Sequence, residues 1–190
     1  MGGSLEYSEL EEIWTNYPAL RPLCRLFLET GTYKGHTTRI MSHHFDRVIT
    51  TEIMPPLYEE SKAASAAEGI TNIDYYLGDS VKILATLKLN QSAVFFIDAH
   101  ISGEDSGFNG DKLVPLLDEL GVILTYNSQP SVYIIDDCRF FGDQRGPELG
   151  AWDWAGITQQ TVLDVFAKNG RDVVESYLKN DRMWVITSST

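Results

Sequence analysis

The chain has 190 residues and carries 15 Lys and Arg residues against 27 Asp and Glu residues, a formal net charge of −12. This negative charge and the lack of any Lys/Arg cluster argue against a nucleic-acid partner, because nucleic-acid binding depends on neutralising phosphates. Hydrophobic residues make up 43% of the chain, which is typical of a globular fold and excludes a disordered one. No apolar run approaches the roughly 20 residues that cross a bilayer, so we expect no membrane partner.

A single domain spanning residues 1–190 accounts for this length, with residues 1–20 as an N-terminal lead and helix. The first residues, Met1 to Ser4, are interpreted as a flexible start without a signal sequence. The two cysteines, Cys24 and Cys138, form no spacing motif and lie in or beside apolar stretches. We interpret them as reduced, buried thiols, which are typical of a cytoplasmic protein.

Short apolar runs alternate with turns and helical patterns along the chain. The first three predicted strands are Leu26–Leu28, Val48–Thr51 and Ile73–Leu77. Helices are predicted after the first two, from near Gly35 to Phe45 and from Pro55 to Glu68. Proline is favourable in the first turn of the second helix, because its missing N–H would be unpaired there anyway.

The fourth and fifth strands are the clearest, because near-continuous apolar runs predict central parallel strands that are buried on both faces. They are Ala93–Ile97 and Val132–Ile135, with a helix predicted between them over Leu113–Leu124. The remaining elements are a helix near Gln159–Lys168 and a hairpin of two strands near Asp172–Leu178 and Met183–Thr187.

This alternation predicts an α/β fold with a Rossmann-like, doubly wound and mostly parallel sheet of seven strands, in which the C-terminal hairpin adds an antiparallel strand. Ligands of such sheets bind beyond the carboxyl ends of the strands, where the strand order reverses. Acidic residues lie at or near the ends of all five parallel strands, namely Glu29, Glu52, Asp79, Asp98 and Asp136. We therefore expect the functional site at this edge of the sheet.

The loop after the first strand is the first candidate binding segment, with the sequence Glu29-Thr30-Gly31-Thr32-Tyr33-Lys34-Gly35-His36-Thr37-Thr38. Its glycines allow a ligand to approach the backbone, and its threonines together with the following helix N-terminus can bind a carboxylate. Tyr33 occupies the second glycine position of the dinucleotide fingerprint G-x-G-x-x-G. A ligand without a pyrophosphate is therefore favoured.

Two further strand ends complete this half of the site. Glu52 ends the second strand, where a carboxylate can accept hydrogen bonds from both hydroxyls of a ribose. Asp79 and Ser80 follow the third strand, where they can contact an adenine edge or serve only to cap the next helix. The glycine loop, the strand-two acid and the polar turn, in this order, favour one cofactor site over three unrelated roles.

From about Leu26 to its C-terminus, the chain resembles the class I S-adenosylmethionine (SAM)-dependent methyltransferases. The segment Phe27–Gly35 is similar to their first motif, in the version that carries a tyrosine in place of one glycine. The resemblance implies that the glycine loop holds the methionine part of SAM, the second strand end its ribose and the third its adenine. The expected cofactor-binding residues are Glu29, Gly31, Thr32, Tyr33, Gly35, Thr37, Thr38, Glu52, Asp79 and Ser80.

Three aspartates follow the fourth and fifth strands, namely Asp98, Asp136 and Asp137. Because these strands are expected to be neighbours, the carboxylates would converge and raise one another's pKa unless a cation compensates them. Oxygen-rich sites of this kind suit Mg²⁺, Mn²⁺ or Ca²⁺. The alternative is that one or two of these acids cap helices or pair with Arg139 or Arg145.

This arrangement resembles the metal-dependent sugar O-methyltransferases that modify macrolide and aminocoumarin antibiotics. The resemblance implies that Asp98, Asp136 and Asp137 bind Mg²⁺ or Mn²⁺. It also implies a general base two or three residues after the first acid, where this chain has His100. With His100 and Asp98 as catalytic residues, a metal-bound hydroxyl would be deprotonated and would attack the methyl group of SAM. Metal ligation and substrate binding are the alternative roles of His100.

Two segments near this centre are candidates for contacts with the acceptor. The loop Ile101–Lys112 contains three glycines and has the length of a substrate lid. The segment Phe140–Trp154 carries four aromatic residues, which either wall an acceptor pocket or belong to the core or to a homodimer surface. The expected acceptor is a small molecule or a glycan, for which a deoxyhexose such as rhamnose is our hypothesis.

Three alternative functions stay open at the level of sequence. A metal-dependent O-methyltransferase of a catechol or another small phenol would need similar metal and base geometry. A metal-dependent hydrolase could use the same acids and His100 around a water molecule, but it leaves the glycine loop and Glu52 without a role. A domain that binds the cofactor without catalysis is the third alternative, and the acids at every strand end argue against it.

Overall fold

The computed structural model describes residues 4–100, 112–143 and 154–188. The strands are β1 (Leu26–Thr30), β2 (Arg47–Glu52), β3 (Ile73–Leu77), β4 (Ala93–Ile97), β5 (Val132–Ile135), β6 (Val173–Lys179) and β7 (Arg182–Thr187). They form one sheet in the order β3-β2-β1-β4-β5-β7-β6. The first five strands are parallel, and β7 pairs antiparallel with both β5 and β6. The predicted seven-stranded sheet with its C-terminal hairpin is confirmed.

Six α-helices lie within the described ranges. They are α1 (Glu11–Asn16), α2 (His36–Ser42), α3 (Pro55–Ala67), α4 (Ser80–Leu87), α5 (Leu116–Tyr126) and α6 (Gln159–Lys168), with short 3₁₀ helices at Tyr7–Leu10 and Cys138–Phe140. Both α2 and α5 are shorter than predicted. Helix α5 begins after Pro115, which is its N-cap, because a proline disfavours helical backbone in the residue before it. No helix among the described residues is long and apolar enough to cross a membrane.

The sheet carries an apolar layer on each face. Strands β1, β4 and β5 are buried along their whole length, as their continuous apolar sequences predict. On one face, Leu28 and Phe95 pack in a cluster with Leu120 of α5. On the other face, Phe27 packs in a second cluster that includes Trp14 of α1. The N-terminal residues therefore cover one side of the central strands.

The strand order changes direction between β1 and β4, which are neighbours in the sheet although β2 and β3 separate them in the chain. At their carboxyl ends, the Asp98 N–H donates to the carbonyl oxygen of Thr30 over 3.2 Å. Ligands of doubly wound sheets bind at such a switch point. The fold therefore brings the predicted glycine loop and the predicted acids to the same place.

Candidate active site at the carboxyl edge of the sheet

Gly31 brings the loop after β1 into close contact with the end of β4. Its φ of 81° lies in the left-handed region, and a Cβ atom at this position would lie 2.5 Å from the carbonyl oxygen of Asp98. Only glycine meets both conditions without strain. Tyr33 also has a left-handed φ, of 48°, so it keeps a backbone conformation that favours glycine. The tyrosine at the second glycine position changes the side chain and not the path of the loop.

Glu29 is a buried carboxyl group behind this loop. It accepts a short hydrogen bond from the hydroxyl of Thr38 and another from Thr50 over 2.9 Å. Burial raises the pKa of Glu29 to about 8, although these two hydroxyls lower it. The side chain therefore fastens the start of α2 to strands β1 and β2.

Each threonine that the sequence predicts to bind the cofactor has a partner within the protein. Thr32 shares a hydrogen bond of 2.6 Å with Thr50, and Thr37 accepts the backbone N–H of Leu5 over 3.0 Å. Thr38 donates to Glu29, as described above. The hydroxyl groups of these threonines therefore also order the loop, apart from any contact with a ligand.

Glu52 joins the end of β2 to the same loop. One of its oxygens accepts the N–H of Tyr33 over 2.7 Å, and the other accepts the N–H of Met54 over 2.9 Å. Burial raises the pKa of Glu52, while these backbone donors lower it. Because a carboxylate oxygen accepts more than one hydrogen bond, the acid retains capacity for the hydroxyls of a ligand.

Asp79 caps helix α4, which was one of its two predicted roles. Its Oδ1 atom accepts the N–H groups of Val81 over 3.0 Å and Lys82 over 3.3 Å. Its Oδ2 atom lies 3.3 Å from the ammonium group of Lys82. Ser80, the first residue of the helix, is buried beside α5. The turn after β3 thus has a structural role whether or not it contacts an adenine.

The ends of β4 and β5 bring Asp98, His100 and Asp137 together. The Nδ1 atom of His100 lies 3.5 Å from Oδ1 of Asp98, and its Nε2 atom contacts Oδ2 of Asp137. One ligand atom from each residue lies within 4.8 Å of the others. The imidazole ring is buried and meets the ring of Trp154 edge-on at 5.4 Å. The predicted base therefore lies between two of the three predicted metal ligands.

Asp98 is the acid of this group whose ionisation is most disfavoured by its surroundings. Burial raises the pKa of this carboxyl group well above its ordinary value, and repulsion from Asp136 and Asp137 raises it further. Burial also raises the pKa of Asp137, but His100 and Arg139 outweigh it and hold that pKa below its ordinary value. A cation at this place would therefore stabilise the Asp98 carboxylate most.

Arg182 holds the third aspartate. Its Nε atom lies 3.1 Å from Oδ1 of Asp136, and its Nη1 atom donates to both oxygens of Glu9 over 2.7 and 2.9 Å. Burial raises the pKa of Asp136, and the charge of Arg182 lowers it. Sequence analysis missed Arg182 and Glu9, because a pair 173 positions apart leaves no local pattern. The available signal was a charged residue at the start of an otherwise apolar strand.

Arg139 contacts the carboxylates of both Asp137 and Asp181. The alternative in which an acid pairs with Arg139 therefore applies to Asp137, which contacts His100 through its other oxygen. Arg145 lies outside the described residues. Asp137 thus contacts the guanidinium group of Arg139 with one oxygen and His100 of the candidate site with the other.

A small cavity lies beside Asp98 and His100, with room for about one water molecule. Its polar lining also includes Asp136 and Glu119. Sequence analysis missed Glu119, which lies on α5 in line with the apolar Leu116, Leu120 and Ile123. A charged residue on the apolar face of a helix was the signal that could have identified it.

The two predicted acceptor segments are described only in part. Residues 101–111 of the predicted lid and Trp152 lie outside the described ranges. Phe140 and Phe141 surround Trp154, with ring centroids 5.8 and 6.1 Å from it. Trp154 is buried in the core and also lines the cavity. Trp154 therefore belongs to the core, which was one of the predicted alternatives, and its role in an acceptor pocket stays a prediction.

No protein-family model and no curated protein sequence matches the chain. Solved structures match its fold over nearly the whole length. The O-methyltransferase TomG from Streptomyces achromogenes, in complex with SAM, is 16% identical with a TM-score of 0.64, covering 98% of this chain and 82% of TomG. The methyltransferase PaMTH1 of Podospora anserina, bound to SAH, is 18% identical with a TM-score of 0.64, covering 100% of this chain and 80% of that one.

A SAM-dependent methyltransferase from Clostridium acetobutylicum is more distant, at 8% identity and a TM-score of 0.58 over 97% of this chain and 92% of that one. At such identities the likeness concerns the fold, and it does not extend to the sugar-specific type. The first motif resembles that of the class I methyltransferases. The strand order, with its C-terminal hairpin, and the matching solved structures agree with this resemblance. The chain therefore has the fold of the class I SAM-dependent methyltransferases.

Proposed function

We propose that the protein is a SAM-dependent O-methyltransferase that transfers a methyl group to a hydroxyl of a sugar or glycan. The observation that carries the proposal is the contact of Gly31 with the backbone of Asp98. It places the loop of the first motif directly against the acids after β4, as methyl transfer between a bound donor and an activated hydroxyl requires. Two structures of the same fold contain SAM or its product SAH.

The proposed cofactor contacts follow the strand ends. Residues 31–38 hold the methionine part of SAM, Glu52 its ribose, and Asp79 with Ser80 its adenine. The remaining hydrogen-bonding capacity of the Glu52 carboxylate supports the ribose contact. The buried Glu29 supports the loop from behind through Thr38.

The residues after β4 and β5 fit a divalent metal ion. Asp98, His100 and Asp137 offer two carboxylate oxygens and one imidazole nitrogen within 4.8 Å of one another. A cation would offset the burial and the repulsion that raise the pKa of Asp98. We propose that Asp98, Asp137 and Asp136 hold Mn²⁺ or Mg²⁺. His100 is the alternative to Asp136 as the third metal ligand. A bound metal ion would lower the pKa of a coordinated hydroxyl.

His100 is the proposed general base. It accepts the proton of the acceptor hydroxyl, and the oxygen attacks the methyl carbon of SAM. The carbon–sulfur bond breaks, its electron pair stays on sulfur, and neutral SAH is formed. The contact between His100 and Asp137 stabilises the imidazolium that results. The edge-on contact with Trp154 fixes the orientation of the imidazole ring.

A sugar acceptor is supported by the aromatic cluster beside His100, because aromatic rings pack well against sugar faces. Phe140, Phe141 and Trp154 form this cluster. The proposal also includes a cytoplasmic location, which the free thiols support. Burial raises the pKa of both Cys24 and Cys138 to about 12, so neither is a reactive thiolate at neutral pH.

Calorimetry with SAM and with SAH tests the cofactor. We expect both to bind, and an absence of heat with either ligand would overturn the proposed function. A screen of nucleotide sugars, glycans and catechols for transfer of a labelled methyl group tests the acceptor. Transfer to catechols and not to sugars would assign the phenol alternative instead.

Chelation tests the metal. Turnover should be lost in EDTA and restored by excess Mn²⁺, whereas full turnover in EDTA would show that Asp98, Asp136 and Asp137 have structural roles.

The variant His100→Ala tests the base. It should lose roughly 10²–10⁴-fold in kcat with SAM affinity unchanged, as removal of a general base does. The exposed His43 provides the control, since His43→Ala should retain full activity. A loss below about tenfold in His100→Ala would be too small for a general base.

A further inference from the structure

Glu119 on α5 is a buried carboxyl group to which the proposed reaction gives no role. Its side chain is fully inaccessible to solvent. Within the described part of the chain, neither of its oxygens makes a hydrogen bond of good geometry. A buried acid without such partners costs free energy, so it is seldom kept without a function. It also lines the cavity beside Asp98 and His100.

The surroundings of Glu119 hold it in the neutral form. Burial raises its pKa to about 8, although the nearby hydroxyls of Ser80 and Thr30 lower it. The nearest acids, Asp79 before α4 and Asp118 on α5, raise the pKa further, and each of them lies beside a lysine, Lys82 or Lys112. The other titratable groups of the same cavity are Asp98 and His100 after β4 and Asp136 after β5. A positive charge placed beside it would favour its ionised form.

Glu119 also lies where the parts of the proposed site meet. Thr30, which approaches its carboxyl group, directly precedes Gly31 of the methionine-binding loop. Ser80, which approaches it from α4, belongs to the proposed adenine contact. The cavity links it to Asp98 and His100, where the methyl group would be transferred. In SAM, the sulfur atom is bonded to the methionine part, the adenosine part and the methyl group, for which these three parts of the site are proposed.

We propose that Glu119 is the residue with which the site distinguishes the charged methyl donor from its neutral product. This inference rests on the proposed function. SAM carries a sulfonium cation and SAH a neutral thioether, so a buried carboxylate is stabilised by the first and not by the second. Binding of SAM releases the Glu119 proton to solvent. Loss of the methyl group removes the positive charge, Glu119 takes up a proton again, and SAH is held less tightly.

Calorimetry at pH 7 in EDTA, in two buffers of different ionisation enthalpy, measures the protons released on binding without a metal ion that could ionise Glu119 first. The wild-type protein should release close to one proton with SAM and none with SAH. In Glu119→Gln, release with SAM should disappear, and the preference for SAM over SAH should fall by at least about tenfold. Glutamine matches the protonated acid in size and charge, and circular dichroism verifies that the variant is folded.

Glu60→Gln is the matched control, because it makes the same substitution at an exposed glutamate on α3, away from the cavity. This variant should keep both the proton release and the preference for SAM. If the wild-type protein binds neither ligand, the proposed function itself fails. If it binds both with equal proton release, the role of Glu119 is overturned while the proposed function stands. Equal release in the wild-type protein overturns the role even if Glu119→Gln does not fold. Release with SAM that persists in a folded Glu119→Gln overturns it as well, because Asp98 in the same cavity also has a raised pKa.

Discussion

Replacing Gly31 with alanine tests whether the loop after β1 depends on its close contact with β4. The added Cβ would lie 2.5 Å from the carbonyl oxygen of Asp98, 2.9 Å from the carbonyl carbon and 3.0 Å from the Cα atom of Ala99. All three are backbone atoms, so a side-chain rotation cannot relieve the clash. Either the loop or the end of β4 must move.

The expected loss of stability has two parts. The left-handed φ of 81° at Gly31 costs alanine roughly 1–2 kcal/mol relative to glycine. Overpacking against fixed atoms adds roughly 1–3 kcal/mol. The free energy of unfolding should therefore fall by about 2–5 kcal/mol. In a domain of this size, that corresponds to a decrease of roughly 4–20 °C in Tm.

Gly69→Ala is the matched control, because Gly69 has a similar φ of 73° and no atom within 4 Å of an added Cβ. It should lose only the roughly 1–2 kcal/mol of the backbone term. Urea unfolding followed by tryptophan fluorescence measures both variants. Equal losses in the two variants would refute the reasoning, because they would show that the contact with Asp98 adds no cost. Calorimetry with SAM should also show weaker binding to Gly31→Ala.

Two further predictions concern the buried charges. Arg182→Met should lower the free energy of unfolding by about 3 kcal/mol, because it leaves Asp136 buried without its cation. The control Arg47→Met breaks an exposed ion pair and should lower it by at most about 1 kcal/mol. Similar losses in urea unfolding would contradict this. Stability should also fall as pH rises from about 4.5 to 8, by up to about 1.4 kcal/mol per pH unit for each of Glu29 and Glu119. The unfolded chain releases their protons in this range while the folded protein, with pKa values of about 8, keeps them. A flat profile in urea titrations at pH 5.5, 6.5 and 7.5, or an unchanged slope in Glu119→Gln, would count against it.

Much of the fold could be predicted because its signals are local. The continuous apolar runs of β4 and β5 predict buried parallel strands, and the structure confirms them. The hairpin is predicted from two strand-like runs that lie close together in the sequence, and the residues between them, Asn180 and Asp181, adopt left-handed φ values of 53° and 63°. These values match the two-residue turns that join twisted antiparallel strands. Helix boundaries were less predictable, as the late start of α5 after Pro115 shows.

The position of the candidate site could also be predicted, because parallel strands end at the same edge of the sheet. The convergence of Asp98, His100 and Asp137 follows from the adjacency of β4 and β5. The partners of these residues did not follow from sequence. Whether Asp137 faces a metal ion, an imidazole or an arginine depends on side chains that approach from other elements, such as Arg139.

The sequence by itself determined the class of fold, the glycine loop and the strand ends at which acids meet, since periodicity and turn chemistry act over a few residues. The tertiary structure alone decided which ionisable groups of the site are buried and which of them are paired. The pairing of Asp136 with Arg182 and Glu9 depends on the packing of the N-terminal segment against β7. The raised pKa of Glu119 depends on its complete burial, which the hydroxyls of Thr30 and Ser80 offset only in part. Both result from long-range packing, because desolvation and charge pairing are set by neighbours in space and not in sequence.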